Sequence, residues 1–313
     1  MTPDERIGRR LSLRDLNIFL VVSEKRSMSR AAEQLAVSQP VVSKAIADME
    51  HVLGVPLLDR GPRGVEPTLY GRALIKRSVA VFDELRLSVT DIESLLDPTA
   101  GEVRIGAGEA LAIAFVPAII ERLTRQHPRL SFHVVEGGLP VLQRELRDRN
   151  IELGIVRALT PISDEDMESE VLFDDRQVVV AGARNKWARR RKIELSELLD
   201  EPWILAPPGT IPGSVQSEAF RAAGLKLPRA TITTLSLSVN AYLLDAGRFL
   251  GFIPESAVHF IGKELPLKVL PIDLPVKPQP VVIVTVKNRT LSSAAKHFVE
   301  GARAVTRPLA SRK

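Results

Sequence analysis

A short helix-forming segment with two chemically different faces constrains the fold of this chain more than any other feature. The segment SQPVVSKAIADMEHVLG occupies residues 38–54. Ser38 suits a helix N-cap, Pro40 is tolerated in the first turn, and Gly54 suits the C-terminal stop. Four apolar residues fall on one stripe at helical spacing: Val42, Ile46, Met49 and Leu53. The pattern therefore predicts a helix that packs this stripe inward.

The other face of this helix carries short or hydrogen-bonding side chains: Gln39, Ser43, Lys44 and Ala47. A helix that enters a DNA groove needs such a face, because bulky apolar side chains would neither fit nor read the edges of the bases. A small solvated helical bundle would show the same polar face. On this helix alone, the two alternatives remain open.

The next segment favours the DNA-binding alternative. Residues 57–71, LLDRGPRGVEPTLYG, hold three glycines and two prolines. These residues break the helix and permit a tight hairpin that carries Arg60 and Arg63. A hairpin with arginines beside a polar-faced helix is typical of a winged helix-turn-helix, whose wing reaches the phosphate backbone or the minor groove.

Two further helices are predicted upstream. Apolar residues at helical spacing indicate an amphipathic first helix over residues 13–24: Leu13, Leu16, Phe19 and Leu20. Ser27 and Ser29 each offer an N-cap oxygen for a second helix. Its two successive alanines, Ala31 and Ala32, let another helix approach closely.

Charge, cysteine content and hydropathy exclude several function classes. The formal net charge is +5, and residues 1–77 hold 13 of the 43 Lys and Arg against 9 of the 38 Asp and Glu. The basic excess thus lies mainly in the predicted DNA-binding segment. The absence of cysteine excludes disulfides, thiolate metal sites and cysteine catalysis. The charged N-terminus and the lack of a long apolar stretch predict a cytoplasmic protein with no membrane partner.

A long helix over about residues 72–96 carries an apolar row that a small winged domain could not cover. The apolar residues follow one another at alternating intervals of three and four residues, which is the spacing of a heptad seam, and Ser78 occupies the one position of the row that is not apolar. The seam residues are Ile75, Phe82, Leu85, Val89, Ile92 and Leu96. The alternative is a helix packed on its own domain, but the length of the row favours dimerisation.

From residue 102 onward, strand and helix patterns alternate. The first strands are predicted at 103–107, 130–136 and 152–158, which with the helices between them form a βαβαβ unit with a parallel sheet. A second set of strands follows at 172–183, 202–207, 229–235 and 249–254, then a strand at 280–286 and a final helix over 292–306. Two α/β lobes joined by two crossover strands account for this order.

The segment from Leu13 to Gly71 resembles the DNA-binding domain of LysR-type transcriptional regulators. The resemblance is carried by LRDLNIFLVVSEKRSMSRAAEQLAVSQPVVSKAIADMEHVLGVPLLDR followed by GVEPTLYG, and above all by the core AAEQLAVSQPVVS. Farther on, VRIGAG, the His-Pro pair at 127–128, ELGIV and LDAGRFLGFIPES are similar to segments of the same family. The resemblance covers nearly the whole chain, and within the family it is closest to regulators of sugar-uptake genes.

This resemblance implies an α plus α/β architecture in three parts. Residues 1–71 form the winged helix-turn-helix, 72–100 a linker and dimerisation helix with a hinge, and 101–313 a two-lobed Rossmann-like effector-binding domain like those of periplasmic binding proteins. Lobe I is expected at about 101–161 and 268–313, and lobe II at about 162–267. The implied function is a homo-oligomeric transcription factor, usually a tetramer of two dimers, that responds to a small molecule bound between the lobes.

The expected DNA contacts follow from this assignment. The residues expected to face the major groove are Ser38, Gln39, Pro40, Ser43 and Lys44. Ser29 and Arg30 are expected at the backbone of double-stranded DNA, and Arg60 and Arg63 on the wing. The residues expected around the effector are Gly108, Glu109, Arg157, Thr234 and Ser236.

Two departures from the family pattern bear on the effector. Family members often have Ser or Thr after the first effector-domain strand, where a ligand carboxylate binds, whereas this chain reads GAGEALAI with Gly108 and Glu109. The glycine-rich segment of the family becomes LLDAGRFLGF, with a bulky Arg248–Phe249 pair. Because Glu109 would repel a ligand carboxylate, we expect a sugar-like, polyol or cationic effector. The alternative is that Glu109 only stabilises its helix and points to solvent.

The sequence offers little support for enzymatic activity or for cofactor binding. The Gly106-Ala-Gly108 segment resembles a dinucleotide fingerprint, but Leu111 stands at the third glycine position, which favours a helix N-terminus facing a ligand cleft. No hydrolase, metalloprotease or nucleotide-binding motif occurs, and the five histidines show no metal-ligand spacing. We therefore expect no cofactor, no metal and no enzymatic activity. A two-lobed α/β enzyme and a solute-binding protein are the alternatives.

One basic run stands apart from the predicted DNA-binding segment. Residues 189–192 read Arg-Arg-Arg-Lys. A run of like charges in a loop is usually solvated. The alternative is a second nucleic-acid site.

Overall fold

The computed structural model describes residues 11–61, 64–96, 100–158, 162, 164–261 and 267–310. The chain divides into two compact units, Met1–Val89 and Thr90–Lys313, called here the N-terminal and C-terminal units. Within the described residues, no helix has both the length and the apolar character needed to cross a membrane.

The N-terminal unit begins with three helices: α1 (Leu13–Lys25), α2 (Met28–Gln34) and α3 (Gln39–Leu53). Each starts where the sequence offers a cap. Ser12 and Asp15 form a reciprocal capping box on α1, and the Ser27 hydroxyl accepts the N–H of Arg30 at the start of α2. Ser27 is therefore the N-cap of α2, and Ser29 lies within the helix with its side chain exposed.

A small apolar core holds these helices together. Val42, Ile46 and Met49 of α3 are buried, as the stripe predicted. They meet Phe19 of α1 and Ala31 of α2 in one cluster, and the absence of a long side chain at Ala31 lets the helices approach. Strand β1 (Leu58–Gly61) then pairs antiparallel with β2 (Gly64–Pro67), which confirms the predicted winged helix-turn-helix. Helix α4 follows over Leu69–Leu96.

The start of α4 is fastened to the connection between α3 and β1. The Thr68 hydroxyl donates to the Pro56 carbonyl at 2.7 Å and accepts the Gly71 N–H at 3.0 Å, so Thr68 caps the helix. A Cβ at Gly71 would overlap the carbonyl oxygen of Leu57. This contact explains in physical terms why the segment GVEPTLYG ends in glycine.

Gly71→Ala is expected to lower the free energy of unfolding of the N-terminal unit by about 2 to 3 kcal/mol, because the backbone must shift to admit the methyl group. Chemical denaturation of the purified protein measures this change. Gly61→Ala is the matched control, since no atom of the described residues lies within 4 Å of its Cβ position. Equal stability of the two variants would contradict the packing argument.

The C-terminal unit contains two five-stranded sheets, each of which defines a lobe. The sheet of lobe I has the order β4 (Arg129–Glu136), β3 (Ala100–Ala107), β5 (Leu153–Arg157), β12 (Gln279–Val286) and β6 (Met167–Asp175). The first three strands are parallel, as predicted, and β12 is antiparallel to both of its neighbours. Helices α5 (Glu109–Gln126), α6 (Leu139–Arg147) and α10 (Ser293–Ala310) belong to this lobe.

The sheet of lobe II has the order β11 (Leu267–Val269), β7 (Gln177–Gly182), β10 (Leu250–Pro254), β8 (Trp203–Leu205) and β9 (Ala230–Thr233). Its helices are α7 (Ile211–Ala222) and α8 (Leu237–Asp245), with 3₁₀ turns at Lys186–Arg189 and Leu195–Leu198. The short α9 (Glu255–Ile261) follows β10 and packs on α5 of lobe I, where Phe260 meets Phe115. The two-lobed α/β architecture is thereby confirmed.

The predicted strand over 172–183 is wrong as a single element. The chain passes from β6 in lobe I to β7 in lobe II at Arg176, so the segment belongs to two sheets. The expected boundary of lobe I at residue 161 is displaced for the same reason, because β6 pairs with β12 over its whole length. Strand β11 pairs with β7, so lobe II extends to residue 269.

Each lobe has its own aromatic core. In lobe I, Phe115 and Phe298 are fully buried, and Phe115 lies edge-on to Phe173 at 5.4 Å between ring centroids. In lobe II, Trp203 stacks on Phe252, and its indole N–H donates to the Leu198 carbonyl at 2.7 Å. Satisfying the one polar atom of Trp203 allows the side chain to be wholly buried.

A bidentate ion pair fastens the outer strand of lobe I to the last helix. Arg303 of α10 donates to both carboxylate oxygens of Glu170 on β6, at 2.7 and 2.8 Å. The hydrogen bonds from Arg303 lower the pKa of Glu170. The contribution of this pair to stability is therefore present at neutral pH and is lost as the pH falls through the lowered pKa of Glu170.

Candidate functional site

The exposed face of α3 in the N-terminal unit gathers most of the predicted DNA-contacting residues. The side chains of Ser38, Gln39, Pro40 and Lys44 are exposed, and that of Ser43 is half-buried. On α2, Ser29 and Arg30 are also exposed. The Ser29 hydroxyl donates to Gln39 Oε1 at 3.4 Å, so the beginnings of α2 and α3 present one polar surface.

This surface carries positive charge that is available to a partner. Within the described residues, no acidic side chain lies in ion-pair distance of Arg30 or Lys44. Arg60 lies in β1 opposite Val65. Arg63 falls outside the described residues.

Glu50 is a positioning residue that the sequence reasoning missed. Its carboxylate oxygen accepts the N–H of Leu57 at 2.7 Å and that of Leu58 at 3.2 Å. On the other side of the wing, the Val65 N–H donates to the carbonyl of Arg26 at 3.1 Å. These bonds fix the hairpin relative to α3 and to the end of α1. The only signal in the sequence is an acidic residue on the inward side of an otherwise apolar stripe.

The apolar row of helix α4 is packed in the first half of the helix and exposed in the second half. Ile75 packs against the core of the N-terminal unit, and Phe82 is half-buried. The remaining four seam residues are exposed: Leu85 (42%), Val89 (55%), Ile92 (59%) and Leu96 (83%). The exposed part of the row thus begins after Phe82.

A cleft of about 350 Å³ lies between the two sheets of the C-terminal unit. Gly108, Glu109 and Arg157 of lobe I line it, together with Thr234 of lobe II, so four of the five predicted effector residues meet there. They do so because β3 and β5 end at the same edge of the sheet, where ligands of open α/β sheets bind. Ser236 is not among the described residues that line the cleft.

Glu109 connects the lobes across this cleft. It is the first residue of α5, and its Oε1 accepts the N–H of Leu237, the first residue of α8, at 2.9 Å. The solvent-facing alternative for Glu109 is therefore wrong. Ser236 caps α8 by accepting the N–H of Val239 at 3.3 Å, and the Thr234 hydroxyl accepts the N–H of Ser236 at 3.0 Å.

Arg157 is bound to a buried carboxylate at the crossing between the lobes. Asp175, the last residue of β6, accepts from Arg157 Nε at 3.0 Å and from Nη2 at 2.5 Å. Asp175 also accepts the backbone N–H of Ser256 at 3.0 Å and its hydroxyl at 2.6 Å. The side chain of Asp175 is only 2% exposed, so its charge is balanced by Arg157 and by hydrogen bonds.

The sequence reasoning missed several polar residues that line the cleft: Glu136, Gln177, Gln216, Asn240 and Gln279. Glu136 is the last residue of β4, so the rule that ligands bind beyond the carboxyl ends of parallel strands could have found it. Gln177 and Gln279 begin the strands that follow the crossings. No local pattern marks these crossings.

The histidines are not all scattered. His127 at the end of α5 and His297 on α10 stack with ring centroids 4.5 Å apart. No group of three potential metal ligands occurs within the part of the chain that the structure describes. His127 lies at the C-terminal end of α5, whereas the cleft residue Glu109 lies at its first residue, and α5 packs against α10.

Comparisons with known proteins agree with this arrangement. The family model of the bacterial regulatory helix-turn-helix protein, lysR family, matches residues 13–72, and the model of the LysR substrate binding domain matches residues 97–307. The chain therefore belongs to the LysR family. It is a DNA-binding transcriptional regulator with an effector-binding domain.

Individual relatives match over nearly the full length. The HTH-type transcriptional regulator YdcI of Escherichia coli K12 is 27% identical over 303 residues, which is 97% of this chain and 98% of the relative. A full-length OxyR variant from Pseudomonas aeruginosa has a TM-score of 0.63 at 21% identity, over 95% of this chain and 96% of the other. Full-length CbnR complexed with its target DNA has a TM-score of 0.62 at 20% identity, over 94% and 99%. The two structures support the fold.

Proposed function

We propose that the exposed face of α3 enters the major groove of DNA and that Gln39 and Ser43 read base edges there. The observation that carries this proposal is the polar surface shared by α2 and α3, with two cations that have no acidic neighbour among the described residues. Ser38, Pro40 and Lys44 lie on the same face. Ser29 and Arg30 contact the DNA backbone, and Arg60 and Arg63 act from the wing.

The phosphate contacts can be tested without knowledge of the operator. Arg30→Ala is expected to weaken binding to a random-sequence DNA duplex and to reduce the slope of log affinity against log salt by roughly 0.9, as expected for the loss of one phosphate contact. Fluorescence anisotropy over a range of salt concentrations measures both.

Arg221→Ala is the matched control, because Arg221 is an exposed arginine of the C-terminal unit and is paired with Glu218. We expect it to keep the parent's salt dependence. If Arg30→Ala behaves like this control while remaining folded, the placement of α2 on the DNA backbone is wrong.

We propose that the exposed part of the α4 row pairs with a second copy of the chain. Leu85, Val89, Ile92 and Leu96 follow the heptad steps of a coiled-coil seam and are unburied in the single chain. A dimer that presents two α3 helices recognises DNA with two related half-sites. Assembly of two such dimers into a tetramer follows from the family resemblance.

The cleft between the lobes is the proposed effector site. Its volume suits a small metabolite, and it joins strand ends of one sheet to helices of the other, so a ligand can favour one relative position of the lobes. Gly108, Glu109, Arg157 and Thr234 line it, whereas Ser236 contributes through the cap of α8. The relation to regulators of sugar-uptake genes stays a prediction, and so does the choice between a sugar-like, a polyol and a cationic effector.

The remaining expectations are a cytoplasmic location, where DNA is accessible, and a role without catalysis. The YdcI relative is named as a transcriptional regulator, which supports both expectations. The cleft residues form hydrogen bonds that fix helices and strand crossings, and the pairs described above do not join a nucleophile to a base.

A further inference from the structure

The effector cleft carries more negative than positive charge. Among the described residues, three charged side chains line it: Glu109, Glu136 and Arg157. Asp175 neutralises Arg157 through two hydrogen bonds from the guanidinium. The two glutamates have no cationic partner among the described residues. If the cleft is the effector site, as proposed above, a ligand there meets an excess of negative charge.

One helix N-terminus that borders the cleft, the start of α8, already binds a carboxylate of the chain itself. Helix N-termini attract anions because their first N–H groups lack partners within the helix. At the start of α8, the Leu237 N–H donates to the carboxylate of Glu109. Glu109 also lies in the first turn of α5, where its charge opposes a second anion. The start of α8 is therefore served by an internal carboxylate, and the same carboxylate disfavours an anion at the start of α5.

Two side-chain oxygens of the cleft residues lack a hydrogen-bond donor among the residues that the structure describes. No hydrogen bond from the described residues reaches Glu109 Oε2. The Oδ1 atom of Asn240 is buried and has no donor within the described part of the chain, and Asn240 lines the cleft. A buried acceptor without a donor costs free energy that a ligand N–H can recover. The cleft thus offers acceptors to a ligand that supplies donors.

The rest of the lining suits a short carbon chain. Leu111, Ile211, Leu235 and Phe252 contribute apolar surface to the same cleft. A ligand with a charged donor group and a small apolar body matches this combination of acceptors and apolar walls.

We infer that the effector is a small organic amine without a carboxylate, held in the cleft with its ammonium group near Glu109 and Glu136. The ammonium group donates to the free oxygen of Glu109 and to Asn240 Oδ1. The carbon chain of the amine lies against Leu235 and Phe252. This inference rests on the proposed effector function of the cleft.

Isothermal titration calorimetry on the full-length protein tests the inference with defined probes: ethanolamine, putrescine, agmatine and isoamylamine, compared with succinate and glucose. At least one amine is expected to bind and to raise the Tm, while succinate and glucose do not. Glu109→Gln and Glu136→Gln are each expected to weaken amine binding about tenfold or more, because a charge-assisted hydrogen bond or a close ion pair is lost. Glu109→Gln keeps an oxygen that accepts the Leu237 N–H, so the connection between the lobes is retained.

Glu121→Gln is the matched control, since Glu121 lies on α5, is exposed and pairs with Arg125. It is expected to bind amines like the parent. Binding of succinate or glucose to the parent in place of amines, or amine binding that is unchanged in both glutamine variants, overturns the inference. So does failure of every amine to bind. Binding of each preparation to a random-sequence DNA duplex is measured in parallel, so that loss of the DNA-binding function is distinguished from a wrong ligand class.

Discussion

Asp175→Ala is expected to lower the free energy of unfolding of the C-terminal unit by about 3 to 5 kcal/mol, because it leaves the buried cation of Arg157 without its partner. The side chain of Arg157 is only 14% exposed, so water cannot fully replace the lost carboxylate. The N–H and hydroxyl of Ser256 also lose their acceptor. Urea denaturation followed by circular dichroism measures the change.

Two control variants separate the effect of losing the charge of Asp175 from the effect of changing any acidic side chain in this segment. Asp174→Ala changes the neighbouring exposed carboxylate and is expected to alter stability by less than about 0.5 kcal/mol. Asp175→Asn keeps an acceptor but removes the charge, so it should fall between the parent and the alanine variant. Stability of Asp175→Ala equal to that of Asp174→Ala would show that the Arg157–Asp175–Ser256 contact does not hold the crossing together.

The double substitution Leu85→Asp with Val89→Asp is expected to raise the dissociation constant of the dimer by about 100-fold or more. Burying two carboxylates in each copy's half of an apolar seam costs several kcal/mol, and each 1.4 kcal/mol corresponds to a factor of ten. Sedimentation velocity at several protein concentrations measures the dissociation. Binding to DNA with two half-sites should weaken in parallel, since one copy carries only one α3 helix.

Leu69→Asp serves as the matched control on the same helix. Leu69 is 71% exposed but lies at the first residue of α4, outside the proposed seam, where an aspartate is compatible with the helix dipole. The Leu69→Asp variant should have the same mass in solution as the parent. A double variant with the parent's mass would show that the exposed row of α4 is not the dimer contact.

The winged helix-turn-helix could be predicted from sequence because its constraints are local. The apolar stripe of α3, its caps and the glycines of the hairpin all lie within one short stretch. The structure places Ser38 and Gly54 at the two cap positions and buries Val42, Ile46 and Met49, although the Ser38 side chain makes no capping hydrogen bond. The contact of Glu50 with the wing could not be predicted in the same way. It depends on how the chain returns past the end of α3, which periodicity does not describe.

The effector-binding domain shows where local pattern fails. Residues 172–183 contain no glycine or proline before Gly182, so the sequence predicts one strand. Only the hydrogen bonds to β12 and β10 show that Arg176 divides the segment between two sheets. The two lobes could still be predicted from the order of strands and helices. The displaced boundary arises because β6 returns to the first sheet before the chain crosses over.

The cleft was predictable to the extent that strand ends mark it. Gly108 and Arg157 follow or end parallel strands, and Glu136 obeys the same rule. The partners of these residues come from distant parts of the chain, such as Leu237 for Glu109, and no spacing in the sequence indicates them. A local sequence pattern therefore predicts which residues border the cleft better than it predicts what each one binds.

Selection of DNA from a random-sequence duplex library by the full-length protein, followed by affinity measurement at physiological salt, tests the central claim most directly. We expect enrichment of an inverted repeat that binds at least about 10³-fold more tightly than a scrambled duplex. Gln39→Ala should relax the preference at the same position of both half-sites. Equal affinity for the selected and scrambled duplexes would contradict sequence-specific recognition by α3.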